Sequence, residues 1–346
     1  PRDESAEREH DRTLVHELDE RMIHAPIVCE HASPAGSAFL HNRAMAITRR
    51  VIVILPDDRW CSAAENAFKW ALVERIESLG LVAEIFHDPR GTPSLCAPMA
   101  WSPENADFIS RRCVGAALIG LPRWRFDSAQ GAVRLPTEFS HFQGALAWQL
   151  RLPLLVLAQR DVTRRVVFDN AFHGRIGEFP AGADASWLDT RDFATPFGVW
   201  QRELGERRDV FLGYCGASTA TALAVKRLLV DQGVSVLDWQ SDFPPGQNIL
   251  QQIGRASERC GAGIFLFTRD DELAAPGREH AAVPRDNVVF EAGYFVHAKG
   301  KDRVLVVREE GAKMPADLGG DIYAALPDRN DVAPIADSLN RFVAQL

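Results

Sequence analysis

The chain has 346 residues, 46% of them hydrophobic and 25% charged, a globular composition with enough apolar material for two cores and no signature of disorder. A formal net charge of -8, with Lys and Arg scattered among acids, disfavours duplex nucleic acid as a partner, since that needs a clustered basic face. No stretch reaches the roughly 18 continuous apolar residues of a membrane helix, and the charged N-terminus does not read as a secretory signal, so a soluble cytoplasmic protein without a membrane partner is expected.

Residues 1–48 read as an N-terminal helical segment, in which Leu14, Leu18 and Met22 form one narrow apolar stripe among Glu and Arg neighbours. A Rossmann-like α/β domain is expected over 49–206. Its first signal is VIVIL at Val51, an unbroken β-branched run of the kind found in a parallel strand buried on both faces. Helical spacing follows from Asn66 to Leu79, then a strand pattern from Leu81 to Phe86. A helix over 103–112, a strand over 115–121, a helix over 137–150 and a strand over 154–158 continue the alternation, which predicts a doubly wound parallel sheet. The stretch 160–206 is rich in Asp, Gly, Pro and aromatic residues, among them Trp187, Phe193, Phe197 and Trp200. It shows no clear period and predicts an irregular end to the domain plus a linker.

A second α/β domain is expected over 207–346. VFLGY at Val210 reads as its first strand, followed by a helix over 219–232, a strand over 234–238, a loop with Pro244, Pro245 and Gly246, a helix over 249–260, and strands at GIFLFT and RVLVV. The two halves run weakly in parallel. GAALIGLP and the helix and strand after it match GAGIFLFT and its successors, with Gly144 opposite Gly293. Two related α/β units and a chance likeness of hydrophobic periods both fit this pattern. Six cysteines, Cys29, Cys61, Cys96, Cys113, Cys215 and Cys260, show no metal-ligand spacing and read as reduced thiols, with no metal site expected.

Five segments carry a resemblance: VFLGYCG at Val210, FPPGQNI at Phe243, GIFLFTRDDE at Gly263, PRDNVVFEAGYF at Pro284 and MPADLGG at Met314. In this order and spacing they resemble the predicted nucleotide-binding proteins with a TIR-like domain found in bacterial defence systems. The resemblance covers 207–346 and leaves 1–206 outside. It implies a flavodoxin-like sheet, NAD as substrate with no separate cofactor, and a catalytic Glu on the helix after the third strand, here Glu291. A carboxylate suits hydrolysis of the nicotinamide–ribose bond because departing nicotinamide leaves positive charge on the ribose. Val288, Val289, Phe290, Ala292, Tyr294 and Phe295 surround Glu291 with apolar residues, so it is either a helix-surface acid favouring the dipole or a partly desolvated, functional one.

The resemblance also places Tyr214 at the nucleotide pocket. Gly216 and Ser218, at a helix start, offer backbone amides to a phosphate or form an ordinary strand-to-helix turn. Asp238 and Trp239 end the second strand. Trp239 or Phe243 is a candidate for stacking on a base, beside the stiff turn at Gly246. Asn287 stands four residues before Glu291 and so shares its helix face, and Arg285 is a candidate partner for a phosphate or, as an ordinary surface ion pair, for Asp270 or Asp271. In the first domain, which has a faint likeness to nucleoside deoxyribosyltransferase-like folds, Arg123, Trp124, Arg125 and Glu138 are the candidates for holding a nucleotide signal.

The function expected is that of an NAD glycohydrolase effector of antiphage defence, activated by a cyclic or other nucleotide through its N-terminal domain and working as a homo-oligomer. An N-glycosidase or deoxyribosyltransferase acting on another nucleotide, and a non-catalytic TIR-type interaction module, are the rival expectations.

Overall fold

The computed structural model describes residues 47–129, 131–243, 248–273, 281–315 and 323–346. The segment read as an N-terminal helix, Cys29 and the turn at Pro244, Pro245 and Gly246 lie outside the described residues. Chain order in the first half is β1 (Arg50–Ile54), α1 (Ala63–Glu77), β2 (Val82–Glu84), α2 (Pro103–Ser110), β3 (Gly115–Gly120), β4 (Trp124–Ser128), β5 (Gly131–Leu135), α3 (Glu138–Gln149), β6 (Leu154–Gln159), α4 (Asn170–His173), β7 (Gly177–Phe179) and α5 (Arg191–Gly205). In the second half it is β8 (Arg208–Gly213), α6 (Thr219–Val230), β9 (Val236–Asp238), α7 (Trp239–Asp242), α8 (Ile249–Arg259), β10 (Cys260–Phe267), β11 (Asp271–Leu273), β12 (Ala281–Val283), α9 (Asp286–Lys299), β13 (Val304–Glu309), β14 (Tyr323–Leu326) and α10 (Ala336–Ala344).

Two five-stranded sheets result, ordered β2-β1-β3-β6-β7 and β14-β13-β10-β8-β9, and every pairing within them is parallel. This is the doubly wound α/β fold. Central strands such as GAALIG and LLVLAQ are buried at every position, because helices cover both faces of a parallel sheet and leave no side for polar alternation. Sharp caps delimit the helices. Ser62 and Glu65 form a reciprocal capping box at the start of α1, satisfying amides that the first turn cannot bond internally.

The sheets share more than a class. Numbered within its own half, each reads second-first-third-fourth-fifth, and each carries a two-stranded antiparallel hairpin between its third strand and the next helix: β4–β5 before α3 and β11–β12 before α9. A chance likeness of hydrophobic periods would not reproduce an insertion at the same place. The halves are structurally equivalent units.

The stretch expected to be an irregular end and linker is instead a fifth strand, β7, and a fifteen-residue helix, α5. Phe193, Phe197, Trp200 and Leu204 fall on one face of α5 and are all buried, and the three rings continue an aromatic chain through Trp187 and Phe179 to Phe68. The helix packs so closely that a Cβ on Gly115 of β3 would come within 2.4 Å of Leu204. Pro196, Gly198 and Gly205 interrupt the sequence, but a four-residue apolar stripe outweighs their low helix propensity.

Both sheets belong to one compact unit. Arginines bridge them by reaching backbone carbonyls: Arg111 to Ala298 (3.2 Å) and Arg207 to Arg151 (3.4 Å). Arg112 adds an ion pair with Asp302. Burial and then the neighbouring Arg207 charge push the Lys299 ammonium at this junction down to about 7.

Candidate active site

In a parallel sheet the strands all point the same way, so the loops after β8, β9 and β10 gather at one edge, where such folds hold ligands. The second half puts its candidate residues there. Tyr214, Asp238 and Trp239 are brought together: the Tyr214 hydroxyl donates to Asp238 Oδ1 at 2.8 Å, and the Trp239 indole donates to the Tyr214 carbonyl at 3.1 Å. Lys226 closes the group on Asp238 Oδ2 at 3.0 Å. Burial, then the Asp238 contact, pushes the Tyr214 hydroxyl above its ordinary value. These polar groups are spent on one another, and their role in this structure is to pin the end of β8 to the end of β9.

Ser218 and Thr268 hydroxyls lie 2.6 Å apart and both reach Asp270, tying the start of α6 to the end of β10. The amides of Ser218 and Thr219 donate back to Cys215 and Gly216. Gly216 is exposed with open space where a side chain would stand. Phe243 stacks on Phe211 with centroids 6.0 Å apart and packs against the apolar core, so its ring serves the fold.

Glu291 is placed differently. It is the sixth residue of α9, beyond the first turn where an acid serves the helix dipole, and only 9% exposed. Its Oε2 is buried with no hydrogen-bond partner among the described residues. Phe211, Phe265 and Phe295 build the apolar layer of this side of the sheet, and burial pushes the carboxyl up to about 7. Asn287 sits one turn earlier and is exposed. Arg285, just before α9, pairs with Asp271 at 3.3 Å, holding the hairpin to the start of the helix.

Gly213, the last residue of β8, explains how the carboxylate fits. A Cβ there would stand 2.5 Å from Phe265 Cδ1 and 3.1 Å from Glu291 Oε2, so only hydrogen leaves room for both. Gly213→Ala is expected to cost about 1–3 kcal/mol of stability by overpacking and to displace the Glu291 carboxylate. Urea unfolding together with a titration of the variant's Glu291 checks this, and an unchanged titration midpoint would refute it.

The sequence reading missed another buried acid at this edge. Glu309 ends β13, is 2% exposed, accepts the Arg269 amide at 2.8 Å and holds Arg329 through contacts of 2.5 and 3.0 Å. Burial alone would raise its pKa, but the Arg329 and Arg269 contacts outweigh burial and hold it below the usual range. The signal was present in an acid closing the apolar strand VLVVRE.

Residues 209–328 match the family model described as the CAP12/Pycsar effector protein, TIR domain. The C-terminal half carries a TIR domain. Its relatives include the Pycsar effector protein BcPycTIR of Burkholderia cepacia, 33% identical over 142 residues, covering 37% of this chain and 46% of that protein. The CD-NTase-associated protein 12 of Lachnospiraceae bacterium (strain RUG226) is 27% identical over 141 residues, covering 40% and 44%. That of Flavobacterium daejeonense is 34% identical over 101 residues, covering 29% and 31%. The chain thus spans under half the length of these relatives, and the first sheet lies outside the region matched to the family.

In that first half the candidate residues divide. Arg123, Trp124 and Glu138 line one cavity of about 690 Å³ at the carboxyl edge of the sheet. Arg125 lies outside its lining and faces Glu65 at 3.9 Å. Trp124 and Arg125 open the strand β4.

Proposed function

We propose that the chain is an effector of antiphage defence whose TIR domain hydrolyses the nicotinamide–ribose bond of NAD. Glu291 carries the reading. A desolvated carboxylate with an unpaired oxygen, at the ligand-binding edge of a parallel sheet, is arranged to oppose a cation that forms only during reaction. As nicotinamide leaves, charge develops on the ribose, and Glu291 stabilises it and orients the attacking water. Gly213 leaves the space, Arg285 sets the approach of α9, and the Tyr214–Asp238–Trp239 group holds the strand ends in register. The names of the relatives, effectors of Pycsar and associates of CD-NTases, support a role in defence and a nucleotide as activating signal. The first unit is the place for that signal, and self-association in the cytoplasm completes the proposal.

Nicotinamide release from NAD by the purified chain tests this, with and without a panel of cyclic di- and trinucleotides and cyclic mononucleotides. Release that appears with one nucleotide supports both halves of the reading. Free base released from a nucleoside, with NAD left intact, would replace it with an N-glycosidase acting on another substrate.

A further inference from the structure

The cavity in the first unit opens where β1 and β3 lie side by side while the chain continues to opposite edges of the sheet, as the order β2-β1-β3-β6-β7 requires. Such a switch point leaves a crevice outside the strand ends because the two flanking connections run apart. Here the crevice measures about 690 Å³, within the roughly 300–1,000 Å³ of small-molecule sites.

Its lining combines stacking surfaces with a sparse set of uncommitted polar groups. Trp60 and Trp124 line it and remain 55% and 48% exposed, an unusual cost for indole rings unless a ligand covers them. The Arg123 guanidinium lies over both, 3.3 Å from the Trp60 ring centroid and 4.7 Å from that of Trp124. Stacking holds its plane, and its N–H edges make no hydrogen bond to a described residue, so they are free to grip an anion. Gln143 lines the cavity, is 6% exposed, and its amide bonds no described residue. The indole N–H of Trp101, another lining residue, is buried without an acceptor among the described residues.

The other charges cancel locally. Asp57 is bound by Arg59 through contacts of 2.7 and 3.0 Å, and Asp58 pairs with buried Lys69. Among these lining residues one cation, Arg123, and one carboxylate, Glu138, have no ion-pair partner among the described residues. A single free guanidinium suits one phosphate and falls short of a triphosphate or an oligonucleotide. The carboxylate suits the hydroxyls of a sugar, and the exposed indoles suit a planar base whose edge an amide and an indole N–H would read.

Equivalence of the two units adds a second argument. With Gly144 placed on Gly293, Glu138 takes the position of Asn287, and the position of Glu291 is held by Phe142. The first unit keeps the crevice and lacks the carboxylate at the place where the TIR domain has its buried one.

We propose that the first unit binds one nucleoside monophosphate, linear or cyclic, in the switch-point cavity and leaves it intact, with Arg123 on the phosphate, Glu138 on the sugar, and Trp60 and Trp124 beside the base. This deepens the reading of a nucleotide signal but concerns binding alone, so it is tested without turnover.

Tryptophan fluorescence of the Glu291→Gln chain would be titrated with the 5′-monophosphates and 3′,5′-cyclic monophosphates of adenosine, guanosine, cytidine and uridine, beside the four nucleosides. Saturable quenching by at least one phosphate-bearing probe is expected, with the probe recovered unchanged. Arg123→Gln should weaken that probe at least about tenfold while leaving the matching nucleoside within about twofold. Glu138→Gln should weaken both, and Trp60→Ala, at an exposed ring, should weaken both at least about fivefold. Circular dichroism confirms that each variant is folded. No saturable binding of any probe up to ~1 mM, binding that Arg123→Gln leaves unchanged, or release of free base from the bound probe would overturn the proposal. Failure of the NAD reaction would leave these titrations untouched.

Discussion

Nicotinamide release is expected to fall by about 10³-fold in Glu291→Gln, the range in which removal of a preorganised electrostatic partner lies. Gln keeps the size of the side chain and removes the charge that would face the ribose cation. The wild-type rate should also carry the signature of the raised pKa. With the carboxyl pushed up to about 7 by burial, the ionised form is the minor one below that pH. The logarithm of kcat/KM should therefore climb by about one per pH unit below pH ~7 and level off above it. A variant that releases nicotinamide at the wild-type rate would move the case to a TIR domain that recruits partners without chemistry.

The same substitution has a consequence for stability, with a definite sign. Glu291 has a folded pKa above its unfolded value of about 4.5, so between these two pH values the folded state holds the extra proton. Stability contributed by this group is complete below the unfolded pKa, declines as pH rises through the window, and stays at its lowest above about 7. Gln carries no such cost. Glu291→Gln should match the wild type near pH 4.5 and exceed it by on the order of 3 kcal/mol at pH 8. Lys299 titrates in the opposite sense, because its pKa is pushed down to about 7 from 10.5; its stabilising effect grows as pH rises from about 7. Taking the difference between wild type and variant removes that contribution. Urea midpoints across this range measure the effect, and a gap that does not widen with pH would mean that the carboxyl is not desolvated.

Trp200→Ala is expected to destabilise the chain by about 3–5 kcal/mol, the cost of emptying a buried aromatic site. Trp200 is 1% exposed, packs against Phe197 with ring centroids 5.5 Å apart, and donates its indole N–H to the Pro153 carbonyl at 3.1 Å. The substitution opens a cavity and strips a buried carbonyl at the start of β6 of its side-chain donor. An exposed neighbour, Gln201→Ala, should stay within about 0.5 kcal/mol of the wild type. Equal and small effects for both would restore the linker reading of 160–206.

Much of the architecture was legible because burial leaves a local imprint. VIVIL, GAALIG, LLVLAQ and GIFLF are continuous apolar runs, as strands covered on both faces must be, and each became a central strand. The helix α5 was not legible by eye because Pro196, Gly198 and Gly205 dilute its stripe. The β4–β5 hairpin gave no alternation because β4, WRFDS, is exposed at four positions and half-buried at the fifth. With no buried face, selection had no reason to write the two-residue period.

The sequence by itself determined the alternation of strand and helix, the TIR resemblance of 207–346 and, through that resemblance, Glu291 as the acid to watch, since each rests on short segments of the chain; the likeness of the two halves it left open. Only the tertiary structure decided what those residues do to one another. It turned Tyr214 and Asp238 into partners, put Phe243 against the core, gathered Arg123, Trp124 and Glu138 around one cavity while leaving Arg125 outside, and set Glu291 over Gly213 without a hydrogen-bond partner for Oε2. The reason is physical: hydrophobic period is a property of neighbours along the chain, whereas desolvation, pairing and free space arise from groups that meet only when the sheet edges assemble.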